Sequence, residues 1–446
     1  MTKKFKKDFI FGTATASYQI EGAAAEDGRT PSIWDAFSKT PGKTYRGHTG
    51  DIACDHYHRY KEDIKLMEKI GIDAYRFSVA WPRIFPEKGK YNPKGMDFYK
   101  RLVDELNKKN INPVITLYHW DLPLWAYNMG GWLNRDIVKW FEEYSAKVFE
   151  ELDDSVRLWI THNEPLCASI FGYHDGAHAP GHKDLREAVI AAHHILMSHG
   201  AAVENFRKFN FKNSGIGITL NLYTSYSASD SKEDKKADSI FDGQYNRWFL
   251  DPLFRASYPE DMKGVYKELI GGFDFVRDGD LQKISVKNDF LGVNYYTREL
   301  IKSSPDLELK FTKIHGNFKR TEMDWEIAPE ALTKLITRLR EDYTGIPIYI
   351  TENGAAFKDK ISRDGKVHDS KRINFLRDHL KVIAELNQKG ADIRGYFLWS
   401  LMDNFEWRFG YSKRFGIIYT DYKTQERILK DSAFWYKDLI KTRVIK

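Results

Sequence analysis

Two glutamates, Glu164 and Glu352, each stand at the end of a short apolar run, "RLWITHNEP" and "IPIYITENG". A carboxylate in that position either begins a turn or is delivered to a place where it works. Asn353-Gly354 is a common turn pair and favours the first answer for Glu352 alone. A second glutamate in the same setting, after Thr161-His162-Asn163, favours the other answer. Paired carboxylates across a pocket are what cleavage of a glycosidic bond needs: one protonated to give its proton to the leaving oxygen, the other ionised. Their surroundings must then push their pKa values apart. Arg76 and the Tyr296 hydroxyl are candidates to keep Glu352 charged. Pro165 follows Glu164 and offers no backbone N–H to stabilise a charge there. The pattern assigns acid/base work to Glu164 and nucleophilic attack to Glu352. A separation of about 5–5.5 Å would mean retention of configuration and a wider one inversion; the sequence leaves both open.

What must bring two residues so far apart together is a set of strands. Short β-rich runs fall at 9–13, 74–81, 112–119, 156–163, 215–222, 290–296, 347–352 and 394–400. Several are apolar on both faces ("VITLY", "IPIYI"), as parallel strands covered on both sides should be. Helical patterns separate them. "HYHRYKEDIKLMEKIG" places Tyr60, Ile64 and Met67 on one face and stops at Gly71. Strand–helix alternation means a parallel sheet. Eight repeats and a last helix, "DSAFWYKDLIKT", predict a closed (β/α)8 TIM barrel over 1–446 as a single domain. An open doubly wound sheet would usually carry a Gly-rich phosphate turn after its first strand, and "FGTATASYQIEG" is not one. Long insertions follow strands at 14–54, 172–183 and 297–323, the face where barrels build active sites.

Read as one surface, the strand ends carry Gln19, Glu21, Arg76, His119, Trp120, Asp121, Asn163, Glu164, Asn221, Asn294, Tyr296, Glu352, Trp399, Asp403, Glu406 and Trp407. Trp399 and Trp407 suit stacking on sugar C–H faces, although either could be core. His119 could equally be structural, and Glu21 and Asp121 could anchor loops. His56, His58, His193 and His194 are expected on helix surfaces, because "HYH" and "HH" lack a third metal ligand at clear spacing.

Composition narrows the classes. The 446 residues include 42% hydrophobic and 15% aromatic side chains, with twelve tryptophans. The charge of +6 arises from 69 basic against 63 acidic residues, without a block long enough for a nucleic-acid footprint. The basic start "MTKKFKKDFIFGTA" lacks the apolar core of a signal peptide. No apolar run approaches the roughly 18 residues of a membrane span. Two cysteines, Cys54 and Cys167, fit a reducing, cytoplasmic setting. Neither cofactor nor metal is expected.

Six motifs now stand in order: "YRFSVAWPRI", "LYHWDLP", "NEP", "GVNYYT", "YITENG" and "WSLMDNFEW". With "FIFGTATASYQIEGA" and the final helix, they resemble glycoside hydrolase family 1, the β-glucosidase and β-galactosidase barrel, over essentially the whole chain. The resemblance implies a retaining mechanism through a covalent glycosyl–enzyme intermediate, acting on cellobiose-like oligosaccharides and aryl β-glucosides. It implies a pocket for the cleaved sugar built from Gln19, His119, Asn163, Glu406, Trp399 and Trp407, walled by Trp120 and Phe415. Glu406 would take the 4- and 6-hydroxyls, and Gln19 the 3- and 4-hydroxyls. Arg76, Asn294 and Tyr296 would orient the nucleophile. Cys167, His178, Asn221 and Trp325 would line the leaving-group side. A homo-oligomer is compatible with all of this.

Departures decide between relatives. Members that cleave 6-phosphoglycosides resemble a Ser, Lys, Tyr pattern where this chain has Glu406, Lys413 and Phe415; only the lysine agrees, and Glu406 would repel a phosphate. Thioglucosidases lack the acid glutamate that this chain keeps. A sugar-binding barrel without activity would usually lose one glutamate. His162, before "NEP", stands where many relatives have a bulky apolar residue, and either tunes Glu164 or packs.

Overall fold

The computed structural model describes residues 3–445; Met1, Thr2 and Lys446, at the ends of the expected domain, lie outside the described residues. Eight parallel strands close into a barrel: β1 (Ile10–Ala14), β2 (Ala74–Ser78), β3 (Asn112–Tyr118), β4 (Leu158–Asn163), β5 (Gly215–Asn221), β6 (Phe290–Asn294), β7 (Ile348–Asn353) and β8 (Ile393–Trp399). Each pairs with its neighbours in sequence order, and β1 closes the ring on β8 from Ile10↔Gly395 to Ala14↔Trp399. The expected strands are all present, some trimmed and others, at 10–14, 348–353 and 393–399, shifted by one residue. The run 74–81 stops at Ser78 because Trp81-Pro82 opens the short helix Trp81–Ile84.

The helices form for the reasons their spacing suggests. In His56–Ile70, Tyr60, Ile64 and Met67 are buried, and Gly71 ends the helix at φ 82° by donating to the Met67 carbonyl at 2.8 Å. In Pro93–Lys108, Pro93 occupies the first turn, where its missing N–H costs nothing, and Met96, Tyr99, Val103 and Leu106 face the core. Buried apolar side chains of barrel and helices form one contiguous cluster. Among the described residues, no helix is long and apolar enough to cross a membrane.

Three expectations need correction. Of the four histidines placed on helix surfaces, only His58 is exposed. His56 meets Asp63 at 2.8 Å, His193 meets Tyr258 and Asp280, and His194 meets the Trp132 carbonyl, all buried. The helix Leu185–Lys208 is covered on almost every side, so its histidines need internal partners. Second, the insertion 297–323 is not irregular: Arg298–Ser303 and Phe311–Ile314 form a three-stranded sheet with Thr224–Ser227 above the barrel. Third, Asn353 does not begin a turn but ends β7, its amide donating to the Tyr295 carbonyl at 2.7 Å. Gly354 is there for close approach: a Cβ would lie 1.7 Å from the Trp399 carbonyl oxygen.

Candidate active site

Parallel strands deliver their last residues to one rim, and two irregularities aim the glutamates. Pairing of β4 with β5 shifts register between Ile160 and Asn163, just before Glu164. Pairing of β7 with β6 shifts between Ile350 and Glu352. Such bulges re-aim side chains next to functional sites. Glu164, Trp120 and Trp407 adopt positive φ of 50°, 77° and 47°. A side chain pays roughly 1–3 kcal/mol for such a conformation, and it persists only where the surroundings enforce it.

Arg76 is the hub. Fully buried on β2, it donates to Glu352 Oε1 at 2.7 Å, to the Thr351 carbonyl at 2.9 Å, to Asn163 Oδ1 at 2.6 Å and to Thr116 Oγ1 at 3.1 Å. The Tyr296 hydroxyl donates to the other Glu352 oxygen at 2.6 Å. Among the described residues, Glu164 has no cation of its own. Its Oε1 accepts from Asn294 Nδ2 at 2.6 Å, and the same amide reaches Asn163 Oδ1 at 3.0 Å. Thr351 Oγ1 donates to Asn294 Oδ1 at 2.8 Å, fixing which way that amide points.

These differences set the protonation order. Burial pushes the Glu164 carboxyl up to about 8, and the Glu352 charge adds to the rise; Asn294, the Cys167 thiol and Arg76 oppose it. Burial also raises Glu352, but there Arg76, the Tyr296 hydroxyl and Asn294 act directly against it. The contacts expected to keep Glu352 charged are present, and burial still outweighs them. With one proton to share, the pair holds it on Glu164, because the bonded cation and phenol serve Glu352 alone. Asn294 is bonded to Glu164 and lies near enough to Glu352 to favour its charged form as well.

A cavity of about 330 Å³ opens over the pair. Of the residues singled out in the sequence, His119, Trp120, Glu164, Cys167, His178, Asn221, Asn294, Tyr296, Trp325, Glu352, Trp399, Glu406, Trp407 and Phe415 line it. Gln19, Asn163 and Arg76 lie immediately behind this lining. The Gln19 amide donates to Asn404 Oδ1 and the Phe405 carbonyl. Asn163 spends its oxygen on Arg76 and Asn294, and its nitrogen meets His119 Nε2 at 3.0 Å.

Several buried polar atoms have no partner among the described residues: Gln19 Oε1, His119 Nδ1, Glu406 Oε2, Asn221 Oδ1 and His178 Nδ1. Buried polar groups are ordinarily bonded, so a cluster of exceptions asks for a hydroxyl-rich ligand. Burial holds His119 well below its ordinary pKa, with Arg76 adding to the fall. The ring is therefore neutral; if Asn163 donates to Nε2, Nδ1 carries the hydrogen. Glu406 is raised to about 8 by burial first and then by the charges of Glu352 and Glu164. The Trp407 ring stacks on His119 at 5.9 Å and packs at 4.5 Å on both Trp34 and Trp120.

Other candidates sort themselves. Glu21 binds Arg83 and Tyr99, and Asp121 accepts from Ser17; both hold loops and neither lines the cavity. His162 points into the helix layer, bonded to Ser198 at 2.8 Å and stacked on Phe141 at 4.4 Å, so it packs. On the leaving-group side, Asn221 Nδ2 reaches Cys167 Sγ at 3.4 Å, and Trp325 packs on Tyr296 at 5.2 Å. Sequence reasoning missed Phe171, Asp175, Tyr223, Lys313, Met323 and Arg408, which also line the cavity. They come from the helix Cys167–His174, the short helix Trp407–Ser412, loops and the added sheet. No motif marks them, and only the length of the insertions hinted that something was built there.

The model of Glycosyl hydrolase family 1 matches residues 1–445. Beta-glucosidase A of Acetivibrio thermocellus is 51% identical over 98% of both chains. A Bifidobacterium breve protein described as a bifunctional beta-D-glucosidase/beta-D-fucosidase is 44% identical over 99% of both. The solved family 1 β-glucosidase of Thermotoga maritima superposes with a TM-score of 0.96 at 46% identity, covering 100% of this chain and 99% of that one. With the barrel, the paired glutamates and these relatives in agreement, the chain belongs to glycosyl hydrolase family 1.

Proposed function

We propose that this protein is a retaining β-glycosidase that removes terminal, non-reducing β-D-glucosyl residues from aryl β-glucosides and cellobiose-like oligosaccharides. The observation that carries the reading is the asymmetry of the two carboxyls: Arg76 and Tyr296 hold Glu352, while Glu164 is buried without a cation. Glu164 gives its proton to the glycosidic oxygen as the C1–O bond breaks. Glu352 attacks C1 from the opposite face and forms a glycosyl ester. Glu164, now a carboxylate, takes a proton from water, whose oxygen displaces Glu352 and restores the β configuration. Retention calls for a separation of about 5–5.5 Å, and the rise that the Glu352 charge causes in Glu164 supports two carboxyls at close range.

Gln19, His119 and Glu406 present their unpartnered atoms to the sugar hydroxyls, and Trp399 and Trp407 meet its C–H face. The Bifidobacterium relative's printed activities support tolerance at C4 and C6, so β-fucosides and β-galactosides are expected substrates too. A 6-phosphate is disfavoured: Glu406 occupies the cavity wall, and Lys413 donates to the Glu322 carbonyl. We read the chain as one catalytic barrel. Its two cysteines, both buried and unpaired, support a cytoplasmic setting. The test is Glu352→Gly: hydrolysis should vanish, and added azide should restore turnover with an α-glucosyl azide product. Undiminished hydrolysis without azide would refute the assignment. A protein that binds glucosides but never turns them over would be a sugar-binding barrel instead.

A further inference from the structure

Behind the sugar pocket lies a set of buried charges that the chemistry does not use. Lys430, fully buried ahead of the helix Asp431–Thr442, donates to Asp403 Oδ1 at 2.7 Å and to Asp359 Oδ2 at 2.5 Å. Arg414 donates to the other Asp403 oxygen at 2.7 Å. Arg372 pairs with Asp359 at 2.7 Å and Asp369 at 2.5 Å, and its guanidinium also reaches the Arg414 carbonyl at 2.8 Å. Three cations thus face three carboxylates in the interior.

The position of Asp403 gives this network a consequence. Between β8 and Ile418 the chain makes a loop that carries Glu406, Trp407 and Phe415. Asp403 sits at its neck. Its Oδ1 accepts from the Gly416 N–H at 3.0 Å, and its own N–H donates to the Ile418 carbonyl at 2.9 Å. The two limbs touch so closely that a Cβ on Gly416 would lie 2.1 Å from the Asp403 nitrogen. Lys430 reinforces the returning limb by donating its backbone N–H to the Ile417 carbonyl at 2.9 Å. Buried ion pairs are weak evidence for stability, since desolvation offsets most of their attraction; fixing one geometry is the better-supported use.

We propose that Lys430 is a positioning residue for the sugar pocket: by holding Asp403 it closes the neck of this loop and sets where Glu406 meets the outer hydroxyls of the substrate. The inference rests on the glycosidase reading for what Glu406 does. Lys430 touches no substrate and acts only through Asp403.

Its test compares two substrates that differ at the group Glu406 would hold. Nitrophenyl β-glucoside carries the C6 hydroxymethyl, and nitrophenyl β-xyloside lacks it. In Lys430→Met, kcat/KM for the glucoside should fall about 100-fold and for the xyloside about tenfold or less, since a displacement of ~1 Å costs roughly that factor. A variant whose only defect is a smaller folded fraction would lose the same factor on both. Equal losses therefore overturn the inference and leave the glycosidase reading intact. Wild-type protein that cleaves neither substrate overturns both. Should Lys430→Met not be recovered folded, Arg414→Gln reaches the same carboxylate from a partly exposed side. A glucoside-selective loss of at least about threefold there supports the inference, and an equal loss on both substrates contradicts it.

Discussion

The floor and the rim of the cavity are built on different principles. On the floor, Arg76, Asn163, Asn294, Tyr296 and Thr351 lie on the barrel strands or just past them, and their hydrogen bonds interlock, each fixed by at least one neighbour that is itself fixed. On the rim, Lys313 is partly exposed, pairs with Glu299 at 3.0 Å and lies over the Tyr223, Phe241 and Tyr245 rings. The floor has one solution, because barrel register decides where each group points. The rim has many, because a loop can change without disturbing the strands. The floor should therefore set the reaction and the sugar, and the rim only the leaving group.

Substitutions should rank accordingly. The largest effect belongs to Glu352→Gln, for which kcat should fall about 10,000-fold or more. The same variant sharpens the protonation argument. Removing the Glu352 charge removes a cause of the raised Glu164 pKa, so the Glu164 carboxyl should titrate below its value of about 8, as followed by carbonyl NMR. No change would mean that burial alone sets it.

Arg76→Met should come next, with a loss of about 100- to 1,000-fold in kcat. It withdraws the cation that opposes the rise of Glu352, so the acid limb of the kcat/KM–pH profile should move to higher pH. It also strands a buried carboxylate, at a cost of about 3–5 kcal/mol in stability measured by urea unfolding. Glu406→Gln should lower kcat/KM about 100-fold for glucosides and less for xylosides. The alkaline limb should survive in that variant and move slightly down, since Glu164 loses a nearby negative charge. Disappearance of the limb would assign it to Glu406 instead.

The rim should respond least. Trp325→Ala or Lys313→Ala should change KM by about three- to tenfold, by different factors for nitrophenyl glucoside and cellobiose. A loss of kcat comparable to that of Arg76→Met would erase the distinction between floor and rim.

The same division governs what could be read from sequence. Strands buried on both faces announce themselves by runs such as "VITLY", and the residue that ends each is then placed by topology. That is why Glu164 and Glu352 were legible together. The bulges that aim them were not, because register is a property of strand pairs. Gly354 looked like half of a turn, and only the approach of the Trp399 carbonyl reveals its purpose. Two of the misplaced histidines, His193 and His194, had a signal in the sequence. From Ala188 to Val203 the helix carries no Asp, Glu, Lys or Arg, the pattern of a helix buried all round. Lys313 and Arg408 had none, since a residue on the short elements added above the barrel gains its place from neighbours that sequence does not name.

The central claim is that Glu352, and not Glu164, becomes bonded to the sugar. A 2-deoxy-2-fluoro-β-glucoside with a fast leaving group should inactivate the enzyme by trapping the glycosyl ester, which is then located by peptide mass spectrometry. The expected result is one fluoroglucosyl group per chain on the peptide containing Glu352. A label on Glu164, or none on an enzyme that still hydrolyses aryl β-glucosides, would contradict the account.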